Sequence, residues 1–340
     1  RSPYLMTIGN SPLEGCSPLP LSVNLMPDAP VGDVVELASL AESLGYRRCW
    51  VYDEGLVTRD VYVTLAAIAL ATERIRLGPG ITNPYVRHPG VTAAAIATLD
   101  ELSGGRAFVG VGAGGGLTLD PLGIRRHRPL TAVREMVVAL RDLFDGRTVD
   151  TEGAVSSFKS ASIGFARPGI EIIMAGRGPR MTRLGGEVAD GFYLSFIHRD
   201  LVERHVSSLR ALAEGRDRPF EIIYSTMVVT TDAEFREARA ALSFRLLDSP
   251  PEVKAMIGMK ESEVEAIRDA LSTGGPALAA DHVREEWVPH FTVVGSVVEA
   301  GATLRDLVSR YRIDEFQLPV SKVDGAAGLI ERTAVAFRSG

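Results

Sequence analysis

The chain has 340 residues, of which 46% are hydrophobic and 24% are charged, a balance typical of a globular protein with a substantial core. Its formal net charge of -6 gives no electrostatic reason to expect nucleic acid or an anionic membrane as a partner. No apolar run reaches the roughly 18 residues that span a bilayer, so no membrane partner is expected either.

The two cysteines, Cys16 and Cys49, stand apart from each other and show no metal-site spacing. We therefore expect a reducing, cytoplasmic location. The first residues lack the charged-then-apolar pattern of a signal peptide, and Met6 is a plausible natural start.

The apolar pattern alternates between strand-like and helix-like segments along the chain. Strands are predicted at residues 21–26, 48–52, 75–80, 107–112, 171–175, 191–195, 220–230 and 315–319. Helices are predicted at residues 31–44, 61–71, 89–102, 130–144, 179–188, 201–214, 233–247 and after residue 319. This rhythm predicts an α/β fold of about eight strand-helix units, the number that closes a TIM (β/α)8 barrel. An open doubly wound sheet alternates in the same way, but the units continue past six without a change in composition, which favours the barrel.

Two longer stretches interrupt this rhythm. Residues 146–167 are polar with scattered glycines, and residues 249–290 are rich in charge, glycine and proline. Loops of this length inside a compact domain are usually functional or mobile. We expect a single domain over residues 1–340 with insertions near 146–167 and 249–290, the second adding helices near the barrel mouth.

Glycine-rich turns follow the third and fourth predicted strands. Residues 78–89 read Gly-Pro-Gly-Ile-Thr-Asn-Pro-Tyr-Val-Arg-His-Pro, and residues 110–114 read Gly-Val-Gly-Ala-Gly. A backbone without Cβ can approach a flat ring or a phosphate closely. Two such strand ends in succession indicate a bound cofactor.

These stretches, together with residues 95–106 and 174–179, resemble the luciferase-like monooxygenase superfamily. Within it the chain is most similar to the deazaflavin (coenzyme F420)-dependent branch typified by methylenetetrahydromethanopterin reductase. The resemblance covers most of the chain. It implies a TIM-like barrel with coenzyme F420, or alternatively FMN, lying across the carboxyl-terminal mouth. It also implies a homodimer that forms through barrel helices.

The same resemblance implies a particular geometry at the end of the third strand. A bulge with a non-prolyl cis peptide would fall between Gly80 and Ile81, behind the cofactor ring. Thr82 and Asn83 would then bond the pyrimidine edge of that ring. They are equally suited to form the turn before Pro84, since Asn and Thr readily bond their own backbone.

Two turns are expected to offer backbone N–H groups to the coenzyme side chain or its phosphate. One follows the fourth strand, and the other precedes a helix whose N-terminus favours an anion. Ordinary tight βα turns are the alternative interpretation. The cofactor-binding residues predicted from these turns and from the end of the sixth strand are Gly112, Ala113, Gly114, Gly115, Gly176, Arg177, Gly178 and Ser195.

Asp53 and Glu54 end the second strand, on the face where barrel active sites lie. A carboxyl group there can give a proton to a substrate nitrogen or orient the acceptor. Glu54 is therefore the first catalytic candidate and Asp53 the second, with helix capping as the alternative role. Asp100, Glu101 and Arg106 lie at the opposite face and are predicted to be structural.

Side chains at the ends of the first and third strands are predicted to contact the substrate: Asn24, Met26, Tyr85 and His88. His88 equally fits a packing role, because no carboxylate partner can be named for it. The later histidines lack partners at ligand spacing, so no metal is expected.

These observations predict an enzyme that transfers a hydride between the deazaflavin and a small organic substrate, with a methylene-tetrahydropterin or folate as the class that the resemblance favours. The absence of a nucleophile-base triad fits a reaction whose chemistry belongs to the cofactor. One alternative is an FMN-dependent monooxygenase. Another is a non-catalytic barrel that binds a flavin or a small molecule.

Overall fold

The computed structural model describes residues 19–338, so Met6 and Cys16 lie outside the described residues. The strands in chain order are β1 (Leu19–Leu25), β2 (Tyr46–Val51), β3 (Arg76–Pro79), β4 (Phe108–Val111), β5 (Val149–Thr151), β6 (Phe158–Ala161), β7 (Glu171–Ala175), β8 (Gly191–Ser195), β9 (Glu221–Ser225), β10 (Val228–Val229), β11 (Val293–Val294) and β12 (Glu315–Val320). The helices are α1 (Val31–Ser43), α2 (Val61–Ala71), α3 (Pro89–Leu102), α4 (Gly116–Leu119), α5 (Pro129–Phe144), α6 (Pro179–Val188), α7 (Val202–Ala213), α8 (Asp232–Leu247), α9 (Pro251–Met256), α10 (Glu261–Ala280), α11 (Val288–Phe291), α12 (Val297–Arg310) and α13 (Ala326–Arg338).

The main sheet contains eight parallel strands in the order β3-β2-β1-β12-β9-β8-β7-β4. Its two outer strands meet through parallel bridges between Leu77 and Ala107 and between Thr82 and Val111. These bridges close the sheet into a barrel whose helices lie on the outside. The predicted TIM barrel is therefore confirmed, and the open doubly wound sheet is excluded.

The predicted elements agree closely with the observed ones, and α2, α3 and α6 agree at both ends. The predicted strand 220–230 is wrong as one element, because β9 ends at Ser225 and β10 pairs with β11 outside the barrel. Helix α12 has no counterpart in the sequence prediction, although Ser296 and Glu299 form a capping box at its start. Within residues 19–338, no helix is long and apolar enough to cross a bilayer.

Both interruptions of the rhythm contain regular structure. The first holds the antiparallel hairpin β5-β6, and the second holds α9 and α10 and most of α11. The second packs on the barrel helices, since α10 lies against α8 and Trp287 is fully buried. The indole N–H of Trp287 donates to the carbonyl of Ile257 at 2.9 Å, which ties the two ends of this segment together.

The amino-terminal end of the barrel interior is filled by an ion cluster. Arg48 is fully buried and lies 2.7 Å from Glu171 and 2.6 Å from Glu221, and it also contacts Glu315. Burial alone would lower the pKa of Arg48, but the attraction of these three carboxylates raises it. One buried guanidinium thus connects β2 with β7, β9 and β12.

Two of the three residues predicted to be structural, Asp100 and Arg106, make contacts at this same end of the barrel. The Arg106 guanidinium donates to the carbonyls of Thr72 and Ile75, each at 2.8 Å. Asp100 is buried and pairs with Arg167 at 2.8 Å. These contacts satisfy backbone oxygens at the end of α2 and before β3, which confirms the structural role.

Candidate active site

The barrel mouth is built over an apolar layer in the middle of the interior. Trp50, Phe108, Ile173, Tyr193 and Ile223 pack there as a separate buried cluster, and the Trp50 and Phe108 ring centroids are 4.4 Å apart. Inward-facing side chains of five strands meet in this layer. It supports the strand ends above it, where the predicted site residues lie.

Glu54 follows β2 and turns its side chain toward the loop after β4. Its Oε2 accepts a hydrogen bond from the Thr118 hydroxyl at 2.8 Å. Burial raises the pKa of Glu54, the neighbouring Asp53 carboxylate raises it further, and the Thr118 hydrogen bond opposes the change. The site therefore favours a protonated Glu54 over a wider pH range than an exposed glutamate would have.

Asp53 is the second partly buried carboxyl group of this strand end. Burial raises its pKa, while the Thr82 hydroxyl and the positive charge of Arg87 oppose the rise. Arg87 itself pairs with Asp60 at 2.7 Å. Each of these two carboxyl groups at the mouth therefore holds a proton to higher pH than an exposed one and can deliver it to a bound molecule.

The strand end at residues 80–82 has the geometry that the resemblance implies. The peptide between Gly80 and Ile81 is cis and does not involve proline. The Asn24 side-chain amide donates to the Gly80 carbonyl at 2.8 Å, and the Thr82 backbone exchanges hydrogen bonds with Gly110 and Gly112 at 2.9 Å each. Asn24 is therefore a buried support of the bulge, and its Oδ1 has no hydrogen-bond partner among the described residues.

Several of the predicted cofactor glycines serve the packing of the protein itself. A Cβ on Gly112 would lie 2.2 Å from Cδ1 of Ile81, and one on Gly80 would lie 2.7 Å from Cβ of Trp50. A Cβ on Gly176 would lie 2.2 Å from Cγ of Met181. At these three glycines, protein side chains fill the space that the sequence analysis expected a cofactor to occupy.

Other glycines of the same turns face free space. A Cβ on Gly115 or Gly178 would meet no atom within 4 Å, and Gly114 and Gly178 have positive φ values of 71° and 88°. The backbone N–H groups of Ala113, Gly114 and Gly115 donate to no backbone acceptor among the described residues. These amides are available to a ligand.

The turn after β3 is stabilised by its own side chains. Oδ1 of Asn83 accepts from the N–H groups of Tyr85 and Val86 at 3.0 and 3.1 Å, which is the turn-forming alternative considered for this residue. The Tyr85 hydroxyl donates to the carbonyl of His127 at 2.8 Å. Met26 is partly buried, and its N–H donates to the Val320 carbonyl.

His88 makes packing contacts rather than mouth contacts. Its Nδ1 accepts from the N–H of Gly90, so it caps α3, and its Nε2 lies 3.1 Å from the carbonyl of Ser157. Its ring lies edge-on to Phe158 at 4.7 Å between centroids. Both ring nitrogens are engaged in holding the hairpin β5-β6 against α3, so the substrate contact predicted for His88 has no support in this geometry.

The end of β7 provides a second group of free amides. The N–H groups of Gly176, Arg177 and Gly178 donate to no backbone acceptor among residues 19–338, and they precede the ten-residue helix α6 with Pro179 in its first turn. Burial lowers the pKa of Arg177, and Asp248, which lies 3.6 Å away, opposes the change. A helix N-terminus with free amides and a nearby guanidinium favours a phosphate.

A cavity of about 590 Å³ adjoins this turn. It touches the predicted site only at Arg177 and Gly178, and otherwise lies between α6, α7, α8 and α9. Arg245 reaches into it from α8, donating to the hydroxyl of Ser195 at 3.3 Å and lying 4.9 Å over the ring of Phe196. The cavity is therefore an extension of the β7 and β8 ends, separate from the ring-facing side at β2 to β4.

His198 forms part of the same cavity wall. Its side chain is buried, with Nδ1 accepting from the N–H of Asp200 at 3.3 Å and Nε2 without a partner among the described residues. It stacks on His290 with the ring centroids 4.9 Å apart. Burial and the neighbouring His290 lower the pKa of His198. His198 is one of the later histidines that the sequence analysis considered only as metal ligands. Arg245 was not considered there.

Comparison with known proteins agrees with this architecture. The chain matches the luciferase-like monooxygenase family over residues 15–312. It belongs to this family.

Its relatives include enzymes with named activities. It is 33% identical to a 5,10-methylenetetrahydromethanopterin reductase of Archaeoglobus fulgidus, over 81% of this chain and 85% of that protein. It is 31% identical to an F420-dependent glucose-6-phosphate dehydrogenase of Beutenbergia cavernae, over 80% of this chain and 85% of that one. The solved structure of the coenzyme F420-dependent tetrahydromethanopterin reductase of Methanopyrus kandleri superposes with a TM-score of 0.83 and 25% identity, covering 94% of this chain and 98% of that chain.

The arrangement in this luciferase-like chain suits a redox reaction carried by a bound organic group. The part of the chain described by the structure holds no cluster of three or more His, Cys, Asp or Glu side chains that could bind a metal. The mouth instead combines two partly buried carboxyl groups with raised pKa values and two turns of free amides. Such a site can bind, orient and protonate, while hydride chemistry needs a cofactor.

Proposed function

We propose that this chain is an oxidoreductase that uses coenzyme F420 to transfer a hydride to or from a small organic substrate, with a methylene-tetrahydropterin or folate as the favoured class. The observation that carries the proposal is the division of the mouth into two parts. A ring-facing part lies at Asp53, Glu54 and the bulge, and a tail-facing part lies at Gly176–Gly178 with its cavity. The similarity to F420-dependent reductases supports the same conclusion.

The residues present fit a long phosphorylated deazaflavin. The amides of residues 113–115 and 176–178 are free, and Gly115 and Gly178 leave open space where a side chain would otherwise project. The cavity beside Arg177 has room for a tail that a mononucleotide lacks. Gly80, Ile81, Thr82 and Asn83 form the wall behind the ring position, and Ser195 is held by Arg245 at the opposite side.

The coenzyme, when bound, supplies the hydride through a carbon of its central ring. The protein's residues do the remaining work. Glu54 holds a proton at its carboxyl group and can donate it to a substrate nitrogen, and Thr118 fixes the orientation of that group. Burial is the main cause of the raised pKa of Glu54, and the neighbouring Asp53 carboxylate adds to it. Met26 and Tyr85 lie at strand ends on the rim, where we propose substrate contact.

The proposal also includes the organisation of the molecule. We infer that the chain acts as one domain, since α10 of the second insertion packs on α8 of the barrel. We infer that two copies pair through α2 and α3, whose outer faces are apolar. A cytoplasmic location and the absence of nucleic-acid and membrane partners stay predictions.

The decisive experiment is titration calorimetry of the purified protein with coenzyme F420 and, separately, with FMN. Micromolar or tighter binding of coenzyme F420 alone is the expected result. Preference for FMN would contradict the proposal and favour oxygen-dependent monooxygenation. Binding without turnover of any methylene-pterin, folate, alcohol or sugar-phosphate substrate would favour the non-catalytic barrel.

A further inference from the structure

The loop between β4 and α5 carries four consecutive basic residues, Arg125, Arg126, His127 and Arg128. All four side chains are exposed. Across residues 19–338, none of the four pairs with a carboxylate within 4 Å, whereas the neighbouring Arg87 and Arg134 each have an acidic partner. In a chain with a net charge of -6, this is a local concentration of uncompensated positive charge.

This basic loop, residues 125–128, is fixed to the edge of the mouth. The Arg126 guanidinium donates to the carbonyl of Gly114 at 2.9 Å, and the His127 carbonyl accepts from the Tyr85 hydroxyl at 2.8 Å. The two contacts bind the loop to the turns that follow β3 and β4. Thr118, which holds Glu54, belongs to the same connection. The cations therefore stand on the rim beside the proposed reaction centre.

The backbone at the end of the loop is also constrained. Arg128 has φ 47° and ψ 52°, a left-handed conformation that residues other than glycine rarely adopt. It directly precedes Pro129, which begins α5, and the residue before a proline usually prefers an extended backbone. The backbone of the loop is thus held in a defined shape.

Resting on the proposed function, we propose that the basic loop binds an anionic tail of the substrate, a chain that carries two or more phosphate or carboxylate groups. Among the described residues, the three arginines of this loop have no carboxylate partner within 4 Å, so their charges repel one another, and a multiply charged anion relieves that repulsion. The free amides and the cavity at Gly176–Gly178 follow β7 and β8, which continue the sheet from β4 on the side away from β3. The coenzyme's tail is proposed to occupy that cavity, and Arg126 contacts the carbonyl of Gly114 rather than the free amides of residues 113–115, so the exposed side chains of the basic loop are left to the substrate.

Anion binding can be tested without any assumption about turnover. The probe is inorganic tripolyphosphate, titrated calorimetrically into the wild type and into the double variant Arg125→Gln/Arg128→Gln. Arg126 is kept because it also anchors Gly114. The matched control is Arg268→Gln/Arg310→Gln, which removes two exposed charges on α10 and α12. We expect tripolyphosphate affinity to fall about tenfold in the loop variant only, since each exposed charge contact contributes at most modestly. Equal losses in both double variants, or none, would overturn the proposal.

Kinetics then identify the source of the anion. The substrates are methylene-tetrahydrofolate with a triglutamate tail and its counterpart with one glutamate. In the loop variant we expect the KM of the triglutamate form to rise about tenfold, with kcat and the Kd of coenzyme F420 unchanged, and with weaker salt dependence of KM. A weakened coenzyme Kd with unchanged substrate KM would assign the loop to the coenzyme and refute the substrate proposal. If the wild type shows no F420-dependent turnover, the proposed function fails, while tripolyphosphate binding still reports on the anion site.

Discussion

Asp53 and Glu54 show how a strand end sets the chemistry of single residues. Both carboxyl groups are drawn partly out of water where β2 meets the loops after β3 and β4, and burial raises both pKa values. An exposed carboxyl group would be ionised at neutral pH and could give no proton. The same burial costs stability whenever the groups ionise.

The change Glu54→Gln should separate catalysis from binding. The amide keeps the shape of the side chain but has no transferable proton, so we expect kcat to fall about a hundredfold or more. The Kd of coenzyme F420, measured by titration calorimetry, should stay within about twofold, because Glu54 is proposed to act on the substrate. A variant with normal kcat would remove Glu54 from the proposed mechanism.

The raised pKa of Glu54 predicts that the folded state loses stability as the pH rises. Because the folded-state pKa of Glu54 is raised, the group's stabilising contribution is fully present below its ordinary value of 4.5 and is lost as pH rises through the raised pKa. Between pH 5 and 8, the wild type should therefore lose more thermal stability than Glu54→Gln. The measurement is Tm against pH, with the exposed Glu265→Gln as the control that should follow the wild type.

Glycine positions separate into those that packing requires and those that stay open. A methyl group on Gly112 would overlap the end of Ile81, whereas one on Gly115 would meet nothing. We expect Gly112→Ala to lower the free energy of unfolding by about 1 to 3 kcal/mol. Gly115→Ala, with φ -107°, should leave it nearly unchanged.

A double-variant cycle identifies the cause of the Gly112→Ala loss. Ile81→Val removes the Cδ1 atom that the new methyl group would meet, so Gly112→Ala/Ile81→Val should recover part of the stability lost by Gly112→Ala. Chemical denaturation of the four proteins measures the coupling. Purely additive effects would show that Ile81 is not the obstacle.

At the scale of elements, the sequence predicts what local patterns determine. The helices 61–71, 89–102 and 179–188 have clear starts, with Asp60 capping α2 and prolines in the first turns of α3 and α6. The glycine-rich turns and the carboxyl pair also follow directly from their positions at strand ends. The position of a residue at the end of a strand can be read from the local sequence, and this was enough to place these residues at the barrel mouth.

What the sequence does not predict depends on contacts between distant segments. The Glu54 hydrogen bond joins residues 64 positions apart, and Arg245 reaches Ser195 across 50 positions. The position of α8 beside the mouth depends on tertiary packing, which the hydrophobic periodicity of the sequence does not reveal. Helix α12 is different, because its capping box at Ser296 was a local signal that the prediction did not use.

The buried ion cluster connects strands from both halves of the chain. Arg48 on β2 contacts carboxylates of β7, β9 and β12, so Arg48→Met would remove the nearest cation of the fully buried Glu315 and leave it only Arg47, at 3.9 Å. We expect a loss of about 3 to 5 kcal/mol in the free energy of unfolding at neutral pH. The loss should shrink at acidic pH, where the stranded carboxylates take up protons. Denaturation at both pH values tests this, and the exposed Arg268→Met should show neither effect.

At the scale of the whole molecule, α2 is unusual because it carries no charged residue on any face. Its outward side chains include Val63 and Leu70, which are 64% and 73% exposed, and α3 adds Val91 beside it. A helix that is apolar all round is normally buried. In the isolated chain this face meets water, which is the reason for proposing that a second copy covers it.

This pairing predicts a specific response to charge. Leu70→Glu would place a carboxylate in the proposed interface, and since burying an unpaired charge is costly, the variant should be a monomer where the wild type is a dimer. Val298→Glu is the matched control, because Val298 is equally exposed at 72% but lies on α12. Sedimentation velocity distinguishes the states directly. A monomeric wild type at micromolar concentration would refute the pairing. A dimer that tolerates Leu70→Glu but not Val298→Glu would move the interface to α12, and the apolar surface of α2 would then need another explanation.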